Sequence, residues 1–271
     1  MASATDPPGG GFIQPSLPSP APTASTVTPS LLPTPRTHPL RPGSMKETTV
    51  INHIDQTLLA INRRHAKKFS SAFDDQSPSA SERGYESFKE VVKDLEGLVD
   101  VLWVSGTPSL QIPYLISLAV LVNSYLPEYP FSPRATFRLL RKLDSVFTAL
   151  LTGEDAETGL PLPGFEHRRQ VVSMTEKVRI KSIAESCRVA VVEAREQVDE
   201  PGEGGDEDSS EDEDEDDEDE VFASDEYVGA PGRWEMEAAR VYEKTIQLLG
   251  DELGKAGDFC DDNMATGEGC S

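Results

Sequence analysis

The stretch LQIPYLISLAVLVNSYL, residues 110–126, is apolar nearly all round and constrains what the rest of the chain can fold into. As a helix it rises about 25 Å, short of the roughly 30 Å hydrocarbon core of a bilayer. Gln111, Asn123 and Ser124 sit near its ends and Ser117 lies inside it. Length and polar content predict a core helix surrounded by others, with no membrane contact. A membrane-anchored form is the rival reading.

The flanking segments supply helices to surround it. Ser44-Met45-Lys46-Glu47 has capping-box spacing, and Ile51, Ile54, Leu58 and Ile61 then recur on one face. A second helix is expected from about Tyr85 to Ser105, with Phe88, Val91, Val92, Leu95, Leu98, Val99, Leu102 and Trp103 as its apolar stripe and Gly106 as its stop. Ser132-Pro133 predicts the start of a fourth helix that runs through Phe137, Leu140, Val146, Phe147 and Leu150 to Gly153. Ser173-Met174-Thr175-Glu176 repeats the capping box and opens a fifth, with Ile180, Ile183, Cys187, Val191 and Ala194 inward. Residues 231–254 predict a sixth, whose apolar side is Trp234, Ala238, Val241 and Leu248. The fold class expected is all-α, a single bundle of five to six helices.

Charge divides the chain. Its formal net charge is −23, yet residues 36–198 hold 21 Lys and Arg against 20 Asp and Glu. Residues 199–226 carry 18 acidic side chains and no basic one, centred on DEDSSEDEDEDDEDE at 206–220. The organisation expected is a disordered proline-rich segment over 1–43, a bundle over 44–198, an acidic disordered linker over 199–230, a returning helix over 231–254 and a disordered tail over 255–271. No apolar h-region follows the start, so no signal peptide is expected. Three widely spaced cysteines, Cys187, Cys260 and Cys270, suit a reducing compartment rather than a disulfide framework.

Catalytic signatures are missing from the sequence. It holds no phosphate-binding loop of the G-x-x-x-x-G-K-[ST] kind and no G-x-G-x-x-G after a strand. His38, His53, His65 and His167 never pair at helical spacing, and no C-x-x-C occurs, so neither a metal nor a cofactor is expected. Cys187 falls on an apolar face, where a packing thiol is expected rather than a nucleophile.

Binding features do occur. Arg63, Arg64, Lys67 and Lys68 place four positive charges at the end of the first helix. They suit phosphates, an acidic partner or the chain's own acidic run, and equally they complement the helix dipole. Arg134, Arg138, Arg141 and Lys142 form a second basic row on the fourth helix, open to protein contact or to plain solvation. One cluster on a neutral body is a weak footprint for nucleic acid, so no sequence-specific nucleic-acid contact is expected. The acidic run fits a solvated linker or a lure for basic protein surfaces, and Ser209 and Ser210 within it suit casein-kinase-II-type phosphorylation.

LLPTPRTHPLRPGSMKETTVINHIDQTLLAINRRHAKKF, GYESFKEVVKDLEGLVDVLWVSGTPSLQIPYLISLAVLVNSYL, SPRATFRLLRKLDSVFTALLTG and SMTEKVRIKSIAESCRVAVVE together resemble a fungal family over about residues 31–198. It is the accessory subunit of the transcription and repair factor TFIIH that promotes dissociation of the XPB-type helicase. The resemblance implies a nuclear, non-enzymatic adaptor that binds TFIIH through that helicase. The alternative is an acidic histone or basic-protein chaperone acting through residues 206–220. An enzyme of unrecognised type is a third class. Nothing here specifies an oligomeric state.

Overall fold

Helices start where their first-turn amides find acceptors, and the chain supplies these in two ways. The computed structural model describes residues 31–69, 83–155, 158–165, 171–199 and 233–261. Helix α1 (Met45–Ala66) begins with the Glu47 amide donating to Ser44 Oγ at 3.2 Å. The return arm of this box reaches one residue further back, where Glu47 Oε2 accepts from the Gly43 amide at 2.6 Å, because the Ser44 amide already donates to the Arg41 carbonyl. Helix α5 (Met174–Asp199) has the full reciprocal pair between Ser173 and Glu176. Helices α3 (Pro108–Tyr125) and α4 (Pro133–Thr152) instead place proline first, where its missing N–H costs nothing. Gly153 ends α4 in the left-handed region at φ 76°.

Helix α2 (Phe88–Val104) buries all eight residues of its expected stripe. It packs against α4 on one side and α3 on another. Around the bundle α2, α4, α7 (Glu243–Asp261), α5 and α3 each pack on the next, so α7 closes the ring between α4 and α5. Helix α1 rests on the outside of α2 and buries only Ile54 and Ile61 completely.

That arrangement corrects the expected position of α3. It is a stave of the ring and not its axis, so Pro113, Ser117, Val120 and Ser124 form an outward stripe at steps of four, three and four. Val120 is 42% exposed. Ser117 and Ser124 satisfy their hydroxyls on the carbonyls of Pro113 and Val120 one turn back. The opposite face of α3, from Leu110 to Tyr125, is buried in the core. By length and composition the segment Pro108–Glu128 could cross a membrane, but here its apolar residues pack against α2 and α5.

The single C-terminal helix expected over 231–254 is two helices, α6 (Arg233–Ala239) and α7. Tyr242 sits between them at φ 52°. Neither Gly nor Pro marks this break. It exists because Tyr242 is driven into the core beside Phe147, with ring centroids 6.1 Å apart. The turn resets the helical phase, so Thr245 and Leu249 become the buried residues of α7 and Leu248 stays half-buried.

Part of the segment expected to be disordered over 1–43 is described by the structure. From Leu31 the chain is placed along the α2–α3 corner, where the Arg36 amide donates to the Val104 carbonyl and the Leu40 amide to Thr107 Oγ1. Leu40 is buried there. The last carbonyls of α2 need donors, and this arm supplies one. Gly106, at φ 55°, lets it pass, since a Cβ there would lie 3.3 Å from the Arg36 carbonyl. Residues 1–30, His167, most of the acidic run with Ser209 and Ser210, and Cys270 lie outside the described residues.

Candidate functional site

The four cations at the end of α1 do not share one surface. Arg64 is turned inward, and its guanidinium reaches Asp94 at 2.6 Å, Glu90 at 3.0 Å and the Arg83 carbonyl at 3.1 Å while lying 4.1 Å above the Tyr85 ring. Tyr85 donates its hydroxyl to the same Asp94. Burial first, then that hydrogen bond and the Asp94 charge, push the Tyr85 phenol far above its ordinary value. Lys68 pairs with Glu128, beside His65 stacked on Tyr125 at 3.6 Å. Burial, and then the Lys68 charge, lower the His65 pKa. Glu128 lies 3.4 Å from Nε2 of His65. Arg63 and Lys67 are exposed.

The row on α4 is likewise divided. Arg138 makes a two-pronged contact with Glu96 at 2.9 and 2.8 Å, and Lys142 reaches Asp100 at 2.7 Å. Both acceptors come from α2, where Glu96 and Asp100 repeat at the same four-residue step as their partners. Lys142 is only 8% exposed, so its stem packs in the α2–α4 seam. Arg141 lies 3.8 Å from Glu237 of α6 and is largely open, and Arg134 is exposed at the start of α4. The pairing residues Glu90, Asp94, Glu96 and Asp100 were the part sequence reasoning missed. Their spacing on α2 was the available signal.

A second constellation fixes the C-terminal helices. Asp144 of α4 accepts from the Thr245 amide at 3.0 Å and from its hydroxyl at 2.6 Å. Lys177 of α5 pairs with Glu252, Arg188 donates to the Ala239 carbonyl at 3.2 Å, and Arg195 pairs with Glu235 at 2.7 Å. The helices that flank the acidic segment are therefore pinned to each other, Arg195 lying just before it and Glu235 after it.

Cys187 is fully buried, and burial pushes its thiol up to about 12, which keeps it protonated and unreactive at neutral pH. Trp103 is buried, and Trp234 stacks on Phe137 at 5.7 Å. No group of three or more His, Cys, Asp or Glu among the described residues is placed to hold a metal.

Fold and surface together define an all-helical module whose charged side chains mostly hold its own helices together. The chain belongs to the family described as subunit 11 of the general transcription factor TFIIH, whose model matches residues 84–250. Membership makes it a nuclear, non-enzymatic component of the TFIIH machinery with the XPB-type helicase as its partner. The match starts later than the resemblance over 31–198 and runs further. It leaves out α1 and takes in α6 and the first turns of α7. The chain is also 25% identical, over 144 residues, to an uncharacterised protein of Schizosaccharomyces pombe, covering 51% of this chain and 73% of that one. No solved structure matches it.

Proposed function

We propose that the ring α2–α7 is the body that docks on TFIIH and modulates retention of its helicase during transcription. The observation that carries this reading is that the family match spans the acidic segment and ends in α7, while Asp144 and Thr245 join α4 to α7 across it. The docking unit is then one interlocked body and not a bundle with a loose tail.

Of the basic residues, we assign Arg63 and Arg134 to acidic surfaces of the partner, because they lie exposed; Lys67 is exposed beside Arg63, and Arg141 is exposed within 3.8 Å of Glu237. Arg64, Lys68, Arg138 and Lys142 already bind carboxylates of the bundle and contribute by holding its shape. The acidic segment acts as a tether that competes for positive surface on the helicase, with Ser209 and Ser210 as its phosphorylation candidates.

Affinity purification from nuclei, followed by mass spectrometry, tests the reading. Recovery of TFIIH subunits with the XPB-type helicase is expected, and their absence would overturn it. A chain deleted for residues 206–220 is expected to keep these partners. Loss of every partner in that deletion would instead favour a basic-protein chaperone working through the acidic run.

A further inference from the structure

Helix α5 is buried on one side only. Its outward face carries Glu185, Val189, Val192 and Glu196 at steps of four, three and four, which place them in one line. Glu193 is exposed beside them. Val189 is 57% exposed and Val192 43%. Nothing in the fold needs valine at these positions.

The neighbouring helix extends this apolar strip. Arg188 donates to Ala239 and Arg195 pairs with Glu235, so α5 and α6 run antiparallel along this seam. Val192 lies between the two arginines, and Met236 lies between their two partners. Met236 is 48% exposed. Val192 and Met236 therefore flank the seam from its two sides, with Val189 one turn back on α5, Glu185 and Glu196 at the two ends of its line and Glu193 beside it.

Charge decides what fits there. The stretch of 18 acidic side chains over residues 199–226 leaves from the end of α5 and the chain returns at α6. The Arg195–Glu235 pair holds both points next to the seam, so the local field is strongly negative. An acidic partner is repelled and a neutral one gains no attraction, whereas a cationic one is steered in. Once there, apolar anchors at helical spacing on the partner can leave water against Val189, Val192 and Met236.

We infer that Val189, Val192 and Met236, rimmed by Glu185, Glu193 and Glu196, form a docking site for a cationic amphipathic helix of a partner protein. The inference goes beyond the TFIIH reading and borrows from it only that the partner is a protein. It also assigns recognition to an acidic and apolar face, distinct from the exposed basic residues.

The test uses the full chain and a fluorescein-labelled helical peptide of about 18 residues, built of leucine on one face and lysine elsewhere, long enough to follow the seam. A scrambled peptide of the same composition and a version with glutamate for lysine serve as controls. Binding is measured at about 0.5 M salt, where charge attraction is screened within about 4 Å. The patterned peptide is expected to bind at least tenfold more tightly than the scrambled one. V189S/V192S/M236S should remove that preference while the far-ultraviolet dichroism stays unchanged. E193K/E196K should weaken the lysine peptide and improve the glutamate one. Equal binding of patterned and scrambled peptides would show capture by the acidic segment alone and overturn the inference. So would a triple variant that is folded and binds as the unaltered chain does. Should the triple variant lose its dichroism, the charge-reversal pair decides. TFIIH recovery by the unaltered chain, measured in parallel, separates failure of this site from failure of the proposed function.

Discussion

Asp144 caps α7 from another helix, accepting both the amide and the hydroxyl of Thr245, a residue 101 positions away in sequence. Asp144 is 9% exposed and Thr245 is fully buried. A helix N-terminus is the favoured neighbour of a carboxylate, and here it also fixes where the C-terminal return lands.

Asp144→Ala should cost about 2–3 kcal/mol, the range for a cap plus a buried hydrogen bond to a charged group. Urea denaturation followed by dichroism measures this, with a lower midpoint at unchanged slope as the expected result. A loss under about 0.5 kcal/mol would show that α7 is held without the cap.

Adjacent arginines should respond unequally. Arg64→Lys keeps the charge but loses the planar fork that spans Glu90, Asp94 and the Tyr85 ring, and should cost about 1–2 kcal/mol. Arg63→Lys, on the exposed side of α1, should stay within about 0.5 kcal/mol. The same denaturation series compares them.

Two buried tyrosines differ in the same way. The Tyr85 hydroxyl donates to Asp94 at 2.6 Å, so Tyr85→Phe should lose about 1–2 kcal/mol. The Tyr242 hydroxyl is buried with no hydrogen-bond partner. Tyr242→Phe removes a polar group left unsatisfied and should be neutral or raise the thermal midpoint, while Tyr242→Ala should cost about 3 kcal/mol or more through the cavity it leaves.

Alkaline unfolding should follow from several buried groups whose protons the fold holds tightly, Cys187 and Tyr114 among them. Burial raises the Cys187 thiol from 9.0 to about 12. Burial, then the hydrogen bond to Asp55 and its charge, raise the Tyr114 phenol from 10.0 to about 12. The folded chain holds both protons more tightly than the unfolded chain, so their contribution is complete below about pH 9 and drains away between about pH 9 and 12. Stability should fall across that window, and Cys187→Ala should fall less steeply. Equal slopes for the two chains would remove Cys187 from the account.

Much of the fold was legible because its signals are local. The capping boxes at Ser44 and Ser173, proline at the start of α4, Gly153 at its end and the α2 stripe act within one or two turns. The break at Tyr242 was not legible, since its cause is the space beside Phe147 and not any residue near it in sequence. The same limit applied to the basic rows. Helical spacing places Arg138 and Lys142 on one face, but it says nothing about Glu96 and Asp100 lying opposite. The outward stripe of α3 was missed because a nearly all-apolar helix gives no phase, and a ring of helices leaves each member one open side.

The clamp between Arg195 and Glu235 has a bearing on how this chain can diverge. The entropic cost of joining two fixed points through the chain grows by only about 0.6 kcal/mol for each doubling of the length between them. Relatives can therefore stretch, shrink or recompose the anionic insert with little penalty to the scaffold, provided that its two moorings survive. Selection on the moorings and selection on the insert are in that sense uncoupled, and alignments of descendants should show fixed anchor points around a span of drifting size.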